Sequence, residues 1–309
     1  MAPQQQVALV VGASRGIGRQ VAISLASSGY AVVVAAKTIS DPSKPITTIP
    51  HYNSQDSTIS TVTHEIRQAG GEATPIQVDV RSEASIQNLV DQTISKYGRL
   101  DVLIYNSGAI FWASVQDTPF KRFQLMQRVN PEGLYAVIQA SLKHLKQSNG
   151  RIVVVSPPIY SRFFRGKTAY AMGKVGMSVL TKGLAMDFVR QGLDDMAITS
   201  IWPAVAIESG ATDKITKANP DEEKDLRKAT IFSDAIQAII KAPAQDVNGE
   251  LVLDEDFLRD YCGVSDFSKY NVISGATPRR IMPAKLPDLT VAEQADEGKR
   301  MDSTKLPKL

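Results

Sequence analysis

The sequence predicts an α/β fold, a doubly wound parallel sheet in a single domain, and three observations carry the prediction. Short runs rich in apolar residues, Val7–Val11, Ala31–Ala36, Asp101–Tyr105, Arg151–Ser156 and Ala197–Trp202, recur between longer helical patterns. That order builds a parallel sheet covered on both faces by helices. The first run leads directly into a glycine-rich turn, Gly12-Ala-Ser14-Arg15-Gly16-Ile17-Gly18. The chain is long enough, at 309 residues, for one large core, and it contains no internal repeat.

Taken in order, the first element is the strand Val7–Val11, followed by the glycine turn and a helical pattern through Val21, Ile23, Leu25 and Ala26 that stops at Ser28-Gly29. Strand, glycine turn and helix form the context of a dinucleotide site. The glycines let the backbone approach a pyrophosphate, and the helix start offers free N–H groups and the positive end of its dipole. The second strand, Ala31–Ala36, ends in Lys37-Thr38 with no acid. An Asp or Glu there would bind the adenosine ribose and repel a 2′-phosphate. Lys37 and Arg15 instead offer two cations to that phosphate, so NADP(H) is expected over NAD(H). Residues 38–57 form a Pro, Ser and Thr-rich insertion, expected as a surface loop near the adenosine end.

The later strands frame the chemistry. Arg151–Val155 leads into Ser156, and Tyr170-Ala-Met-Gly-Lys174 follows. On a helix the four-residue spacing stacks Tyr170 and Lys174 on one face. A phenol titrates near ~10 in water. An ammonium beside it favours the phenolate and brings the group toward working range. Phe111, Trp112, Phe163, Phe164 and Trp202 fall in loops or at strand ends, where an open sheet builds its crevice. They predict a roomy apolar or aromatic pocket for a small-molecule carbonyl or alcohol. Residues 206–226 are polar and charged, and hydrophobic periodicity fades from Pro283. The expected division is a domain over 1–282 and an irregular tail over 283–309.

These residues resemble the short-chain dehydrogenase/reductase family over roughly residues 6 to 255, which implies a Rossmann-type sheet and NADP(H)-dependent hydride transfer. Gly12, Gly16 and Gly18 match the family's glycine motif, and Asp79, followed by Val80, matches the acid that holds the adenine amino group. Asn106-Ser-Gly108-Ala109 resembles the Asn-Asn-Ala-Gly turn, with Tyr105 in place of its first Asn. Asn130, Ser156, Tyr170 and Lys174 match the catalytic tetrad. The resemblance implies that Tyr170 donates the proton, Ser156 holds the substrate oxygen, Lys174 binds the nicotinamide ribose and Asn130 links Lys174 to solvent through water. Trp202-Pro203 occupies the place of the Pro-Gly beside the nicotinamide, putting Pro203 and Val205 near the cofactor. Residues 206–226 lie where the family has its substrate lid. Val11 replaces a Thr before the first glycine, and Pro131 follows Asn130 directly. The proline removes a helical N–H, frees the carbonyl of Gln127 and predicts a bend there. One branch of the family adds a sterol-carrier-like domain, for which 309 residues leave no room. A homodimer or homotetramer built on helices around 117–147 and 168–192 is expected by resemblance.

Composition narrows the alternatives. A net charge of +3, with Lys and Arg dispersed, argues against nucleic acid as a partner. His51, His64 and His144 lack ligand spacing, so no metal is expected, and the single cysteine fits a reducing compartment. No membrane span or secretory leader is expected, which places the protein in the cytoplasm. The ending Pro307-Lys308-Leu309 resembles a weakened peroxisomal address as the alternative. A nucleotide-binding sensor without turnover, and a non-redox dehydration or cyclisation in the same pocket, remain open on the sequence.

Overall fold

Seven parallel strands lie in the order β3-β2-β1-β4-β5-β6-β7 in the computed structural model. It describes residues 5–41, 43–51 and 53–289. The strands are β1 (Val7–Val11), β2 (Ala31–Ala36), β3 (Ala73–Gln77), β4 (Val102–Tyr105), β5 (Arg151–Val155), β6 (Ala197–Trp202) and β7 (Leu251–Leu253). The chain winds outward from β1 to one edge, then returns to β4 and winds the other way. That reversal opens a crevice between the carboxyl ends of β1 and β4, where such sheets bind ligands.

β1, β2 and β4 are buried along their whole length, as strands covered on both faces must be. Period-two alternation divides β1 between two cores. Ala8 and Val10 face α1 (Gly16–Ser27), α2 (Ile59–Gln68) and α8 (Thr230–Lys241), through Leu25, Ile66 and Phe232. Val7, Leu9 and Val11 face α3 (Glu83–Tyr97), α5 (Gly133–Gln147) and α6 (Thr168–Arg190), through Leu89, Leu134 and Phe188. Pro75 sits in β3, which pairs only with β2, so its missing amide breaks no inner ladder.

Between α4 (Phe120–Gln127) and α5 the chain makes a π-helical turn over Arg128–Glu132, centred on Asn130 and Pro131. The missing amide of Pro131 produces a local widening rather than a break. Three short helices follow β6: α7 (Asp213–Ala218), α9 (Ala244–Val247) and α10 (Asp254–Asp260).

The insertion departs from a simple surface loop. Its far end folds onto the glycine turn: the Ser57 hydroxyl donates to the Ser14 carbonyl at 2.6 Å, and Asn53 and Ser57 are buried. Thr58 and Thr61 then exchange side chain–backbone bonds as a capping box that starts α2. These small hydroxyl residues tie down the loop because each satisfies a backbone group that burial would leave unpaired. Residues 283–289 carry no regular element, although Leu286 packs beside Met282. Pro307-Lys308-Leu309 lies outside the described residues.

Candidate active site

The glycine turn is built for close approach. Gly12 and Gly16 adopt positive φ, +91° and +54°, which disfavours any side chain. A Cβ on Gly18 would stand 2.1 Å from the Gly12 carbonyl oxygen and 2.5 Å from Asn106 Nδ2. Asn106 Nδ2 donates to that same carbonyl at 3.0 Å, which ties the turn to the end of β4. No side chain caps the first turn of α1. Its N–H groups therefore remain for a ligand. Asn53 Oδ1 is buried without a hydrogen-bond partner and stands 3.4 Å from where a Gly16 Cβ would be. Free donors and positive-φ glycines around one turn fit a dinucleotide pyrophosphate.

Beyond the carboxyl ends of β2 and β3, Asp79 is gripped by Arg81 at 2.5 Å and by Lys37 at 3.3 Å. The Arg81 guanidinium, aided by Lys37, holds its carboxyl well below the usual carboxylate range. Lys37 is 68 % exposed, so its ammonium is accessible to a phosphate. Arg15 is half-buried, and Thr38 accepts a hydrogen bond from Ile59 N through its carbonyl. Val80, Gly108, Lys37 and Asp79 share one shallow depression.

The second half of the site is a cavity of about 520 Å³ lined by Ile17, Asn106, Gly108, Tyr170, Lys174 and Pro203 among others. It is thus continuous with the glycine turn. Tyr170 and Lys174 are both buried, and Lys174 Nζ donates to the Val155 carbonyl at 2.8 Å. A Cβ on Gly108 would come within 3.3 Å of Lys174 Nζ and 3.6 Å of Asn130 Oδ1, so this glycine makes room for both. Asn130 exchanges two hydrogen bonds with the Ala109 backbone, at 2.8 and 3.1 Å. Its side chain thus pins the loop after β4 to the π-helical turn. Tyr105, the other departure, donates to the Val129 carbonyl at 2.6 Å and braces the same junction.

Two expectations need correction. The lysine was expected to draw the Tyr170 phenol down, yet burial pushes it up. Burial also lowers Lys174, to about 7. Burial penalises the charged form of each group. Tyr170 is therefore held as the neutral acid. Ser156 is the second correction. Its hydroxyl is fully buried, bonded to those of Ser178 at 3.0 Å and of Ser200, and it does not line the cavity. Val155 lines the cavity instead; a tight turn from Ser156 N to the Val154 carbonyl rotates the next side chain toward α6. Removing an oxyanion donor ordinarily costs ~10²–10³ in kcat. Ser156→Ala is expected to cost less than about tenfold, measured as steady-state turnover.

Trp112, Phe163 and Trp202 line the cavity around Tyr170, with ring centroids of Trp112 and Phe163 at 6.2 and 6.3 Å from it. Phe111 and Phe164 pack behind them without lining it, and Phe111 carries the Arg122 guanidinium over its face. Val205 is buried in a bridge to Arg280 and does not line the cavity. Residues not anticipated do: Tyr160 and Lys167 from the approach to α6, Thr212 and Ile215 from the 206–226 segment, and Ile281 and Met282 from the end of the domain. Arg279 joins the last two groups, pairing with Glu222 at 2.6 Å and Asp225 at 3.2 Å. The crossing of residues 279–282 had no local signal in the sequence. Among the described residues no cluster of His, Cys, Asp or Glu could hold a metal, and no helix is long and apolar enough to cross a membrane.

A parallel doubly wound sheet, a glycine turn at its switch point and a buried Tyr-Lys pair facing the same crevice define a Rossmann-type α/β protein. The chain belongs to the short-chain dehydrogenase family, whose model it matches over residues 6–56 and 44–219. It resembles hydroxysteroid dehydrogenase-like protein 2 of Danio rerio, 37% identical over 269 residues covering 86% of this chain and 60% of that protein. The Homo sapiens protein of the same name is 35% identical over the same share of this chain, and this chain again spans 60% of its length. A putative dehydrogenase from Xanthomonas campestris superposes with a TM-score of 0.77 at 31% identity, covering 95% of this chain and all of that one.

Proposed function

We propose that the protein is an NADP(H)-dependent oxidoreductase that reduces the carbonyl of an apolar or aromatic small molecule, or runs the reverse alcohol oxidation. The observation that carries the proposal is the buried pair Tyr170 and Lys174 on the wall of an apolar cavity that opens onto the glycine turn. Gly12, Ser14, Arg15, Gly16, Ile17 and Gly18 would hold the pyrophosphate and adjoining ribose, Lys37 and Thr38 the 2′-phosphate end, and Asp79 and Val80 the adenine. Asn106, Gly108, Lys174 and Pro203 would surround the nicotinamide end. When bound, the nicotinamide supplies the hydride. Trp112, Phe163 and Trp202 orient the substrate and exclude water. Tyr170 gives its phenolic proton to the carbonyl oxygen as charge grows there, and Lys174 holds that end of the site and assists its return. The 206–226 segment acts as the lid.

Two tests bear on this reading. Tyr170-dependent oxidation of NADPH by a ketone panel tests the reaction itself. The cofactor assignment is tested by Lys37→Ala, expected to weaken NADPH by about tenfold, as loss of a charge-assisted contact does, with NADH nearly unchanged. Equal losses for both nucleotides would remove the assignment. An exposed apolar stripe on α6, Met172, Val179, Met186 and Val189, with Tyr135 on α5, supports a homodimer or homotetramer. The proposed compartment is the cytoplasm, with the C-terminal tripeptide as a peroxisomal alternative.

A further inference from the structure

Lys167 is a half-buried cation of the cavity that the proposed reaction does not use. It stands at the start of α6, three residues before Tyr170 and seven before Lys174, and all three line the cavity. Lys167 is the N-cap residue of α6, with a non-helical φ of −152°, and its side chain reaches the same cavity wall as those of Tyr170 and Lys174. Lys167 Nζ lies 4.1 Å from the Phe163 ring centroid and 5.4 Å from that of Trp112. Both rings also flank Tyr170. The ammonium is therefore held between two aromatic faces next to the acid.

Among the described residues no carboxylate pairs with Lys167. The two acids that line the cavity, Glu222 and Asp225, are both engaged by Arg279. Half-burial lowers the lysine from its ordinary range, the direction expected of a cation short of both water and a counter-ion. Such a charge is costly to leave unmatched and is matched cheaply by a ligand that brings its own anion. Of the other cations on the lining, Lys174 donates to the Val155 carbonyl, Arg279 is paired with Glu222 and Asp225, and Arg162 is exposed, which leaves Lys167 as the half-buried ammonium without a carboxylate. One such group suits a monoanion; a phosphate dianion would call for several converging donors. Ile110, Ile215 and Met282 supply walls for the carbon chain.

We infer that Lys167 anchors a carboxylate of the substrate, so that the compound reduced at Tyr170 is an oxo acid with a short apolar spacer rather than a neutral ketone. The redox part rests on the reading under Proposed function; the anion site does not. In the reductive direction the carbonyl carbon gains a hydride from NADPH and its oxygen gains the Tyr170 proton, giving a hydroxy acid and NADP⁺. The carboxylate is unchanged throughout.

The test compares levulinate and its longer straight-chain homologues with their primary amides, using the full-length protein, Lys167→Met and Lys167→Arg. Calorimetric binding is measured with NADP⁺ present, and kcat/KM with NADPH. The expected result is an acid-over-amide preference of roughly tenfold or more for at least one chain length, in both measurements. The preference collapses toward one in Lys167→Met and returns in part in Lys167→Arg. Equal binding of acid and amide to the wild type, binding of no acid in the series, or a preference that survives Lys167→Met would overturn the inference. A Lys167-dependent preference in binding without turnover of any acid upholds the anion site and counts against the reductase reading. Turnover of acids and amides alike does the reverse.

Discussion

Tyr170→Phe is expected to lower kcat by about two to four orders of magnitude while NADPH affinity stays within about twofold. The phenol is buried in the cavity wall between Trp112 and Phe163, and burial pushes its pKa up, which favours the protonated form. Phenylalanine keeps the ring and its packing, so the substitution removes the proton and little else. KM for the carbonyl compound is expected to change less than kcat, because the transferred proton matters most in the transition state. The contrast with Ser156→Ala is informative. In the structure that hydroxyl belongs to a buried serine cluster, so its loss is expected to show in thermal stability, by roughly 1 kcal/mol per broken hydrogen bond, more than in turnover.

Gly18→Ala is expected to abolish nucleotide binding and to destabilise the fold by about 1–3 kcal/mol. The added methyl would overlap the Gly12 carbonyl oxygen and press on Asn106 Nδ2. Both contacts belong to rigid atoms, one of them backbone, so relaxation must move the turn itself. The same movement breaks the Asn106–Gly12 hydrogen bond and shifts the first turn of α1, which the pyrophosphate would occupy. A thermal melt and a fluorescence titration with NADPH check the two parts. Native-like NADPH affinity in a folded Gly18→Ala protein would mean that the nucleotide lies elsewhere.

Much of this architecture was legible from residue patterns. The strands β1 and β2 are continuous apolar runs because they are buried on both faces, and their bounds matched the runs. The glycine turn and the Tyr-Lys spacing carry local physical consequences that are found, a tight turn and one cavity wall, while the proline after Asn130 gives a π-helical widening where a bend was expected. What was not legible depends on direction or on long-range contact. The orientation of Ser156 is set by a backbone turn at the end of β5, and a serine at a strand end reads the same whichever way it points. The pair Tyr170 and Lys174 was read as a charge interaction, whereas burial by α6 packing decides both titrations. The walls given by Ile281 and Met282 arise because that segment crosses back to Ala204, through Ile281 N and Met282 N donating to its carbonyl. No periodicity announces such a crossing.

The central claim is that carbonyl reduction takes place at Tyr170 with the hydride drawn from NADPH. The most direct test is a single-turnover reaction of the protein with NADPH deuterated at the transferring carbon, against ketones and oxo acids, followed by mass spectrometry of the product. The account predicts deuterium on the new carbinol carbon, in step with NADPH oxidation, and loss of both in Tyr170→Phe. Product formed without deuterium while NADPH stays reduced would contradict it and assign the cavity to non-redox chemistry.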